Sequence, residues 1–227
     1  MAFKLLVSVL VINFSLFAMA HPVLIFFGGH GSSKADMDSW NAQASEKYSD
    51  NSELQIRSHA LPTKNWSQKM VLADASGLIQ EVTQQIDKSN GKVDYYLAGH
   101  SSGSAIATEV ARRVKSKSNL HLVILDGFYP DGISDEVDTS CWSARSADGP
   151  LKSINYAGMK QCSNFHELKV SGCRTEMCLH FALVNQKAPR LGITQSNYLA
   201  TGFKDLKVFL AWFEYKEKST NEVSDDP

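Results

Sequence analysis

The chain has 227 residues, enough for a single domain with a buried core. Its composition, with 43% hydrophobic and 21% charged residues, is typical of a globular protein. The formal net charge of -1 argues against a nucleic acid partner, which would call for a basic surface. We therefore expect one domain over residues 21–218 that acts on a small molecule.

The first twenty residues have the pattern of a secretory signal peptide. A short basic start, MAFK, precedes an apolar run, and an A-x-A cleavage site at residues 18–20 stands before His21. A membrane anchor is the alternative, but the apolar run of about 16 residues is shorter than the roughly 20 that a spanning helix needs. No cysteine follows the cleavage site, which argues against a lipid anchor. We expect an exported protein, either periplasmic or secreted.

Strands and helices alternate through the first half of the chain. The expected strands are His21–Phe27, Glu53–Ala60, Val93–Ala98 and Leu120–Leu125, and the expected helices are Ser33–Tyr48, Met70–Asp87 and Ala105–Ser116. This order predicts an α/β protein with a mostly parallel central sheet and helices on both faces. Such sheets bind their ligands at the carboxyl ends of the strands.

The second half is less regular. Gly127–Gly158 is rich in Gly, Ser, Asp and Pro and lacks periodicity, so we interpret it as an excursion from the sheet. Phe165–Val170 is the expected fifth strand, and Asp205–Tyr215 is an expected closing amphipathic helix. The polar residues 219–227 are expected to form a disordered tail.

The four cysteines are expected to form two disulfides, because an even number in an exported chain favours them. They are Cys141, Cys162, Cys173 and Cys178. Three pairings are possible, and Cys141–Cys162 with Cys173–Cys178 is favoured because each pair closes a short loop. A zinc site is the alternative, but the spacing contains no C-x-x-C. We expect no metal ion and no organic cofactor.

The segment Gly99-His100-Ser101-Ser102-Gly103 satisfies the pattern G-x-S-x-G between an expected strand and an expected helix. A serine on such a sharp turn projects from the sheet, and glycines on either side remove Cβ atoms that would clash. The N-terminus of the following helix can stabilise negative charge. An ordinary glycine-rich turn is the alternative, but the context favours Ser101 as a nucleophile.

A nucleophilic serine needs a base and an orienting acid, in the chain order serine, acid, histidine. Asp126 directly follows the fourth strand and is the candidate acid. Glu176 is the alternative acid, because it would follow the next strand. Asp131 and Asp135 also follow the fourth strand, but they lie in the irregular excursion.

His180 is the candidate base. Only His166 and His180 follow Asp126, and His166 begins a strand, at the wrong end of a parallel sheet. A half-buried core histidine is the alternative interpretation of His180. The loop between Cys173 and Cys178 could hold this histidine rigidly.

The turn after the first strand, Gly28-Gly29-His30-Gly31, is expected to complete an oxyanion hole. The backbone N–H of Gly29 would act with that of Ser102, the residue after the nucleophile. A phosphate-binding loop is the alternative, but no G-K-[ST] or dinucleotide pattern accompanies these glycines.

Three segments, GHSSGSAIATEVARR, LHLVILDGFYP and LHFALV, resemble the α/β-hydrolase superfamily and, within it, the thioesterase branch. The resemblance covers about residues 22–130 and the surroundings of residue 180, and it implies a Ser-His-Asp triad. The cysteine-bearing excursion stands where family members usually carry a helical lid. Family members are typically cytoplasmic, so the thioester substrate does not follow for an exported chain.

The resulting hypothesis is an exported serine hydrolase of carboxylic esters or thioesters. A lipase or phospholipase that contacts membrane lipid, and a catalytically silent binding protein on the same scaffold, are the alternatives. The candidate residues for lining the substrate pocket are Phe128, Tyr129 and Trp142. The sequence indicates neither the acyl length nor the oligomeric state.

Overall fold

The computed structural model describes residues 21–49, 54–61, 67–128 and 132–198. The strands in these ranges are β1 (Val23–His30), β2 (Gln55–Leu61), β3 (Tyr95–His100), β4 (Leu120–Leu125), β5 (Asp138–Ser146) and β6 (Phe165–Val170). The helices are α1 (Lys34–Lys47), α2 (Gln68–Asp74), α3 (Ser76–Ser89), α4 (Gly103–Arg113), α5 (Tyr156–Met159), α6 (Glu176–Ala182) and α7 (Ala188–Leu191).

The six strands form one parallel sheet in the order β2-β1-β3-β4-β5-β6. The chain first adds β2 on one side of β1 and then crosses over to place β3 on the other side. The strand order therefore reverses between β1 and β3, and the crevice at their carboxyl ends is where this class of sheet binds ligands. The serine turn lies there, and so do the residues of the expected GGHG turn. Gly28, Gly29 and His30 belong to the end of β1, however, so the expected turn begins only at Gly31.

Helices cover both faces of the sheet, as the alternation of elements predicts. On one face Trp40 of α1 packs edge-on against Phe26, with ring centroids 4.2 Å apart, in a core that also includes α6. On the other face Ile79 of α3 and Ile106 of α4 are fully buried over the central strands. The sheet is thus held between two apolar layers, and its polar rim remains available for chemistry.

The interpretation of Gly127–Gly158 as an excursion without a strand is wrong. This segment contains β5, which lies between β4 and β6, so Phe165–Val170 is the sixth strand and not the fifth. The physical reason is that several buried positions of β5 are serines, namely Ser140, Ser143 and Ser146. Buried serines give no hydrophobic pattern, and the strand is invisible to periodicity.

The single helix expected over Met70–Asp87 is two helices. Ala75 ends α2 and precedes α3, with φ -93° and ψ 8°, outside the helical region. Ser76 and Gly77 follow it directly, and both favour a helix boundary over a helix interior.

The expected disulfide pairing is confirmed. Cys141–Cys162 ties β5 to the segment before β6, and Cys173–Cys178 closes the loop that leads into α6. The expected signal peptide at residues 1–20, the closing helix Asp205–Tyr215 and the tail at residues 219–227 lie outside the described residues. Within the described ranges, none of the helices is long and apolar enough to cross a membrane.

Candidate active site

Ser101 lies with Ser102 on a tight turn between β3 and α4. Its φ of 54° lies in the left-handed region, which a non-glycine residue adopts only when the surroundings impose it. Its backbone N–H donates to the carbonyl oxygen of Leu125, 3.0 Å away, at the end of β4. The turn is therefore tied to the neighbouring strand, and the Ser101 side chain is partly exposed at the rim of the sheet.

The glycines on either side of this turn are required by close contacts. A Cβ atom on Gly99 would lie 2.5 Å from the Cα atom of Ser104. One on Gly103 would collide with the carbonyl oxygens of Phe27 and Gly28 at the end of β1. Only glycine at both positions lets α4 start against the sheet, which confirms the steric reasoning behind the motif.

Asp126 follows β4 directly and also has a positive φ, 42°. Its backbone N–H donates to the carbonyl oxygen of Trp142, 2.7 Å away, and its side chain is fully buried. The carboxylate accepts hydrogen bonds from His180, Ser143 and Ser153. Burial raises the pKa of the Asp126 carboxyl, but these hydrogen bonds outweigh it and the pKa lies below its usual value. The group is thus a buried carboxylate anion.

His180 lies on α6 and donates from Nδ1 to Asp126 Oδ2 across 2.6 Å. Both side chains are buried, 3% and 0% exposed. Because Nδ1 carries the proton in this bond, Nε2 of a neutral His180 ring is an acceptor. The structure therefore brings two of the three candidate residues into direct contact, in the tautomer that a general base needs.

His100 supports His180 from the strand side. Its Nε2–H donates to the backbone carbonyl of His180, 3.1 Å away, and the two rings are 4.4 Å apart. Burial lowers the pKa of His100 to about 3, so this ring stays neutral at ordinary pH. His100 is adjacent in sequence to Ser101, and this contact places Ser101 and His180 at the same part of the rim. Among the described residues, however, the Ser101 hydroxyl makes no hydrogen bond with His180.

Gly29, at the end of β1, lies against the serine turn. A Cβ atom built on Gly29 would be 3.0 Å from Ser101 Cβ and 3.0 Å from His100 Nδ1, so a side chain would crowd the turn. Ser102 is buried and directly precedes α4. Both residues therefore lie beside Ser101, and their backbone N–H groups remain the predicted oxyanion donors.

A family model for the thioesterase domain matches residues 22–149, which is more than half of the chain. The chain belongs to the thioesterase domain family. It is an enzyme of the serine hydrolase type whose substrates are small-molecule esters or thioesters. The α/β-hydrolase architecture and the thioesterase branch expected from the sequence are both confirmed.

Solved structures that resemble this thioesterase are distant in sequence. A protein of Xanthomonas campestris pv. campestris, assigned to the α/β superfamily of hydrolases, is 17% identical, with 74% of this chain and 94% of that chain covered and a TM-score of 0.47. RedJ, a thioesterase from the prodiginine biosynthetic pathway of Streptomyces coelicolor, is 18% identical, with 75% and 87% covered and a TM-score of 0.43. YbtT, a type II thioesterase from the yersiniabactin pathway, is 13% identical, with 75% and 90% covered and a TM-score of 0.45. No curated protein sequence matches the chain.

The alternative acid of this thioesterase, Glu176, lies on the first turn of α6 and is exposed to solvent. Its carboxylate makes no hydrogen bond or ion pair within the described part of the chain. His166, the other late histidine, stacks on Trp142 within the sheet, with ring centroids 4.5 Å apart. Within the described residues, neither side chain hydrogen-bonds to Asp126 or His180.

The candidate pocket residues have different positions. Phe128 is half-buried against the core on the α4 side, and its backbone N–H donates to Ser104 Oγ across 2.7 Å. Trp142 belongs to β5 and packs on the opposite core. Tyr129 lies outside the described residues. Their contribution to an acyl pocket stays a prediction.

Sequence reasoning missed four polar residues that support the site: Ser104, Ser143, Ser153 and Asn155. The Ser104 hydroxyl donates to the carbonyl oxygen of Ser101 across 2.6 Å, and it accepts the N–H of Phe128. It therefore joins the serine turn to the chain that follows the acid. In a serine-rich sequence no local signal marks these positions, because their partners are distant along the chain.

Proposed function

We propose that this thioesterase-family enzyme is an exported serine hydrolase that cleaves carboxylic esters or thioesters through Ser101, His180 and Asp126. The observation that carries the proposal is the buried hydrogen bond from His180 Nδ1 to Asp126 Oδ2, beside the strained turn that presents Ser101. A buried carboxylate that fixes a histidine tautomer is costly to fold and useful for proton transfer.

In the proposed reaction the Ser101 hydroxyl attacks the acyl carbonyl while His180 Nε2 takes its proton. Asp126 holds the ring and stabilises the imidazolium that forms. The N–H groups of Gly29 and Ser102 bind the developing oxyanion. The tetrahedral intermediate then collapses, His180 returns the proton to the departing alcohol or thiol, and Ser101 is left acylated.

Water completes the cycle. His180 removes a proton from the water as it attacks the acyl-enzyme, and Ser101 leaves as the restored hydroxyl with that proton. Hydrogen bonds between a nucleophile and its base are commonly long in a free enzyme and tighten when substrate binds. The mechanism uses side chains and backbone N–H groups alone.

Steady-state hydrolysis of paired substrates tests this function. We expect wild type to cleave a short-chain p-nitrophenyl ester and the matching thioester, and Ser101→Ala to lose nearly all of both activities. Ser118→Ala, an exposed serine after α4, is the matched control and keeps wild-type rates. Equal rates for Ser101→Ala and wild type would contradict the proposal. A rate that rises sharply only with aggregated phospholipid would make the enzyme a lipase, and no hydrolysis of any of these substrates by folded wild type would also contradict the proposal.

Export is supported by the signal-like pattern of residues 1–20 and by two disulfides, which persist in oxidising compartments. We expect protein recovered from the periplasm or medium of a bacterial host to begin at His21. The measurement is N-terminal sequencing together with a count of free thiols. Full-length protein retained in the cytoplasm with four free thiols would contradict export.

A further inference from the structure

Both oxygens of the Asp126 carboxylate accept hydrogen bonds, and His180 donates to only one of them. Oδ2 accepts Nδ1–H of His180 at 2.6 Å and the backbone N–H of Asn155 at 3.4 Å. Oδ1 accepts the hydroxyl of Ser153 at 2.6 Å and the hydroxyl of Ser143. Each carboxylate oxygen therefore has its own set of donors.

The two hydroxyls on Oδ1 also contact each other. Ser143 Oγ and Ser153 Oγ are 2.7 Å apart, and the backbone N–H of Ala144 donates to Ser153 Oγ at 3.3 Å. A hydroxyl has one proton to donate, so the three short contacts among Ser143, Ser153 and Asp126 can hold at most two hydrogen bonds at a time. When either serine is removed, the other can still donate to Asp126. We call Ser143 and Ser153 the serine pair.

The serine pair is held by β5 and the turn that follows it. Ser143 lies on β5, fully buried, and Ser153 lies beyond the turn that follows β5. The turn folds back, because the N–H of Ser153 donates to the carbonyl of Ala144 at 2.9 Å and Arg145 pairs with Lys152 in an antiparallel bridge. The donors on Oδ1 therefore come from β5 and its following turn, whereas the side-chain donor on Oδ2 comes from α6.

We propose that Ser143 and Ser153 are positioning residues that act through Asp126, as an interchangeable pair of donors that orients its carboxylate and limits its basicity towards His180. The inference rests on the proposed function of Asp126 and His180. Hydrogen bonds to an ionised acceptor are the strong ones, and two of them on one oxygen withdraw charge from the carboxylate.

A pH effect follows from this arrangement. The titratable groups that face Asp126 are His180 from α6 and His100 from β3, and β5 with its following turn adds only neutral donors. Without the serine pair, the carboxylate carries more charge on Oδ2, the oxygen that faces His180. The imidazolium form of His180 is then stabilised, and its ionisation moves to higher pH.

A double-mutant cycle on the serine pair tests the proposal. We expect Ser143→Ala and Ser153→Ala each to lower kcat/KM about threefold, because the remaining hydroxyl compensates. The double variant should lose roughly a hundredfold in kcat/KM, more than the product of the two single effects. The midpoint of the acid limb in its pH–rate profile should move about one unit higher in pH. Ser146→Ala, which removes another buried β5 serine without touching Asp126, controls for stability.

A second variant pair keeps the test valid if the double alanine variant does not fold. Ser143→Ala/Ser153→Thr and Ser143→Ala/Ser153→Val have nearly the same shape and differ by one hydroxyl. We expect the threonine version, Ser143→Ala/Ser153→Thr, to behave like Ser143→Ala. In the valine version, Ser143→Ala/Ser153→Val, the midpoint of the acid limb of the pH–rate profile should move to higher pH. Equal pH profiles for the two, or strictly multiplicative effects in the alanine cycle, would overturn the proposal.

NMR titration of the His180 ring separates this inference from the proposed function, because it needs no substrate. The midpoint should rise by about one unit in the valine version and stay at the wild-type value in Ser146→Ala. An unchanged midpoint in folded protein overturns the role of the serine pair. A wild-type protein that hydrolyses nothing, with the midpoint still shifted, overturns the proposed function and leaves the serine pair standing.

Discussion

Ser101 and Asp126, the proposed nucleophile and acid, share an unusual backbone conformation. Both have positive φ, 54° and 42°, and both lie just beyond the carboxyl ends of neighbouring strands. Such conformations cost of the order of 1 kcal/mol or more in a non-glycine residue, so the surrounding hydrogen bonds must hold them. The bond from Ser101 N–H to Leu125 and the bond from Asp126 N–H to Trp142 do so here.

The identity of the acid can be tested by paired amide substitutions. We expect Asp126→Asn to lower kcat by roughly 10⁴-fold, because an amide no longer fixes the correct His180 tautomer. Glu176→Gln should keep activity close to wild type, since the Glu176 side chain is exposed and its carboxylate makes no hydrogen bond with His180. The measurement is kcat on a short-chain ester, with circular dichroism to check folding. A large loss in Glu176→Gln alone would move the acid to α6.

His100 makes folding sensitive to acid. Its folded pKa of about 3 lies far below the value of 6.5 for an exposed histidine, so between these two pH values the unfolded chain takes up a proton that the folded chain does not. Stability is therefore full above pH 6.5 and falls as pH drops towards 3. This group alone should cost about 2 kcal/mol of unfolding free energy between pH 6.5 and pH 5.

The matched variant is His100→Gln, whose amide can still donate to the carbonyl of His180 but does not titrate. Urea unfolding at pH 6.5 and pH 5 should show a smaller pH dependence in this variant than in wild type. The same pH dependence in both proteins would show that His100 is not the group responsible.

At the scale of residues, the sequence predicts the candidate site residues that belong to a motif and misses those that do not. The G-x-S-x-G pattern and the order serine, acid, histidine single out Ser101, Asp126 and His180, because the chemistry restricts residue type and order. Ser143 and Ser153 bind Asp126 from 17 and 27 residues away. Nothing in their own neighbourhood distinguishes them from other serines, so only the folded chain identifies them.

At the scale of elements, α6 has only seven residues and must be anchored at its start. Thr175 caps it by accepting the N–H of Cys178 at 3.0 Å, and the Thr175 hydroxyl donates to the carbonyl of Ile193 at 2.7 Å. The Cys173–Cys178 disulfide closes the same segment. Three constraints therefore fix the helix that carries His180.

Removing each disulfide in turn separates stability from activity. The bridges span 21 and 5 residues, so loss of Cys141–Cys162 should cost about 3 kcal/mol of unfolding free energy and loss of Cys173–Cys178 about 2 kcal/mol. The smaller loop should matter more for kcat, because it positions His180. The measurements are urea unfolding and ester hydrolysis for the Cys141→Ala/Cys162→Ala and Cys173→Ala/Cys178→Ala variants. Greater loss of kcat in the first variant would contradict this division.

Elements with regular apolar patterns are predicted well, and those with buried polar groups are not. The strands β1, β3 and β4 are nearly continuous apolar runs, as buried parallel strands require. The strand β5 is missed because part of its interior is the polar setting of Asp126, supplied by serines. The sequence pattern therefore fails at the element that supports the proposed chemistry, which is where conflict between pattern and fold is expected.

At the scale of the whole molecule, the fold gathers the candidate groups at one rim. The reversal of strand order between β1 and β3 brings Gly29 against Ser101, and β4 places Asp126 beside them. The last part of the site comes from α6, far along the chain, through His180. A parallel sheet thus brings segments that are distant in the sequence together at the carboxyl ends of its strands.

Active-site labelling with a fluorophosphonate tests the central claim most directly, because such probes react only with a serine made nucleophilic by its surroundings. We expect one label per wild-type molecule, located by peptide mass spectrometry on Ser101, and no label on the Ser101→Ala variant. Asp126→Asn should label far more slowly than wild type. Equal labelling of wild type and Ser101→Ala, or no labelling of folded wild type, would contradict the account.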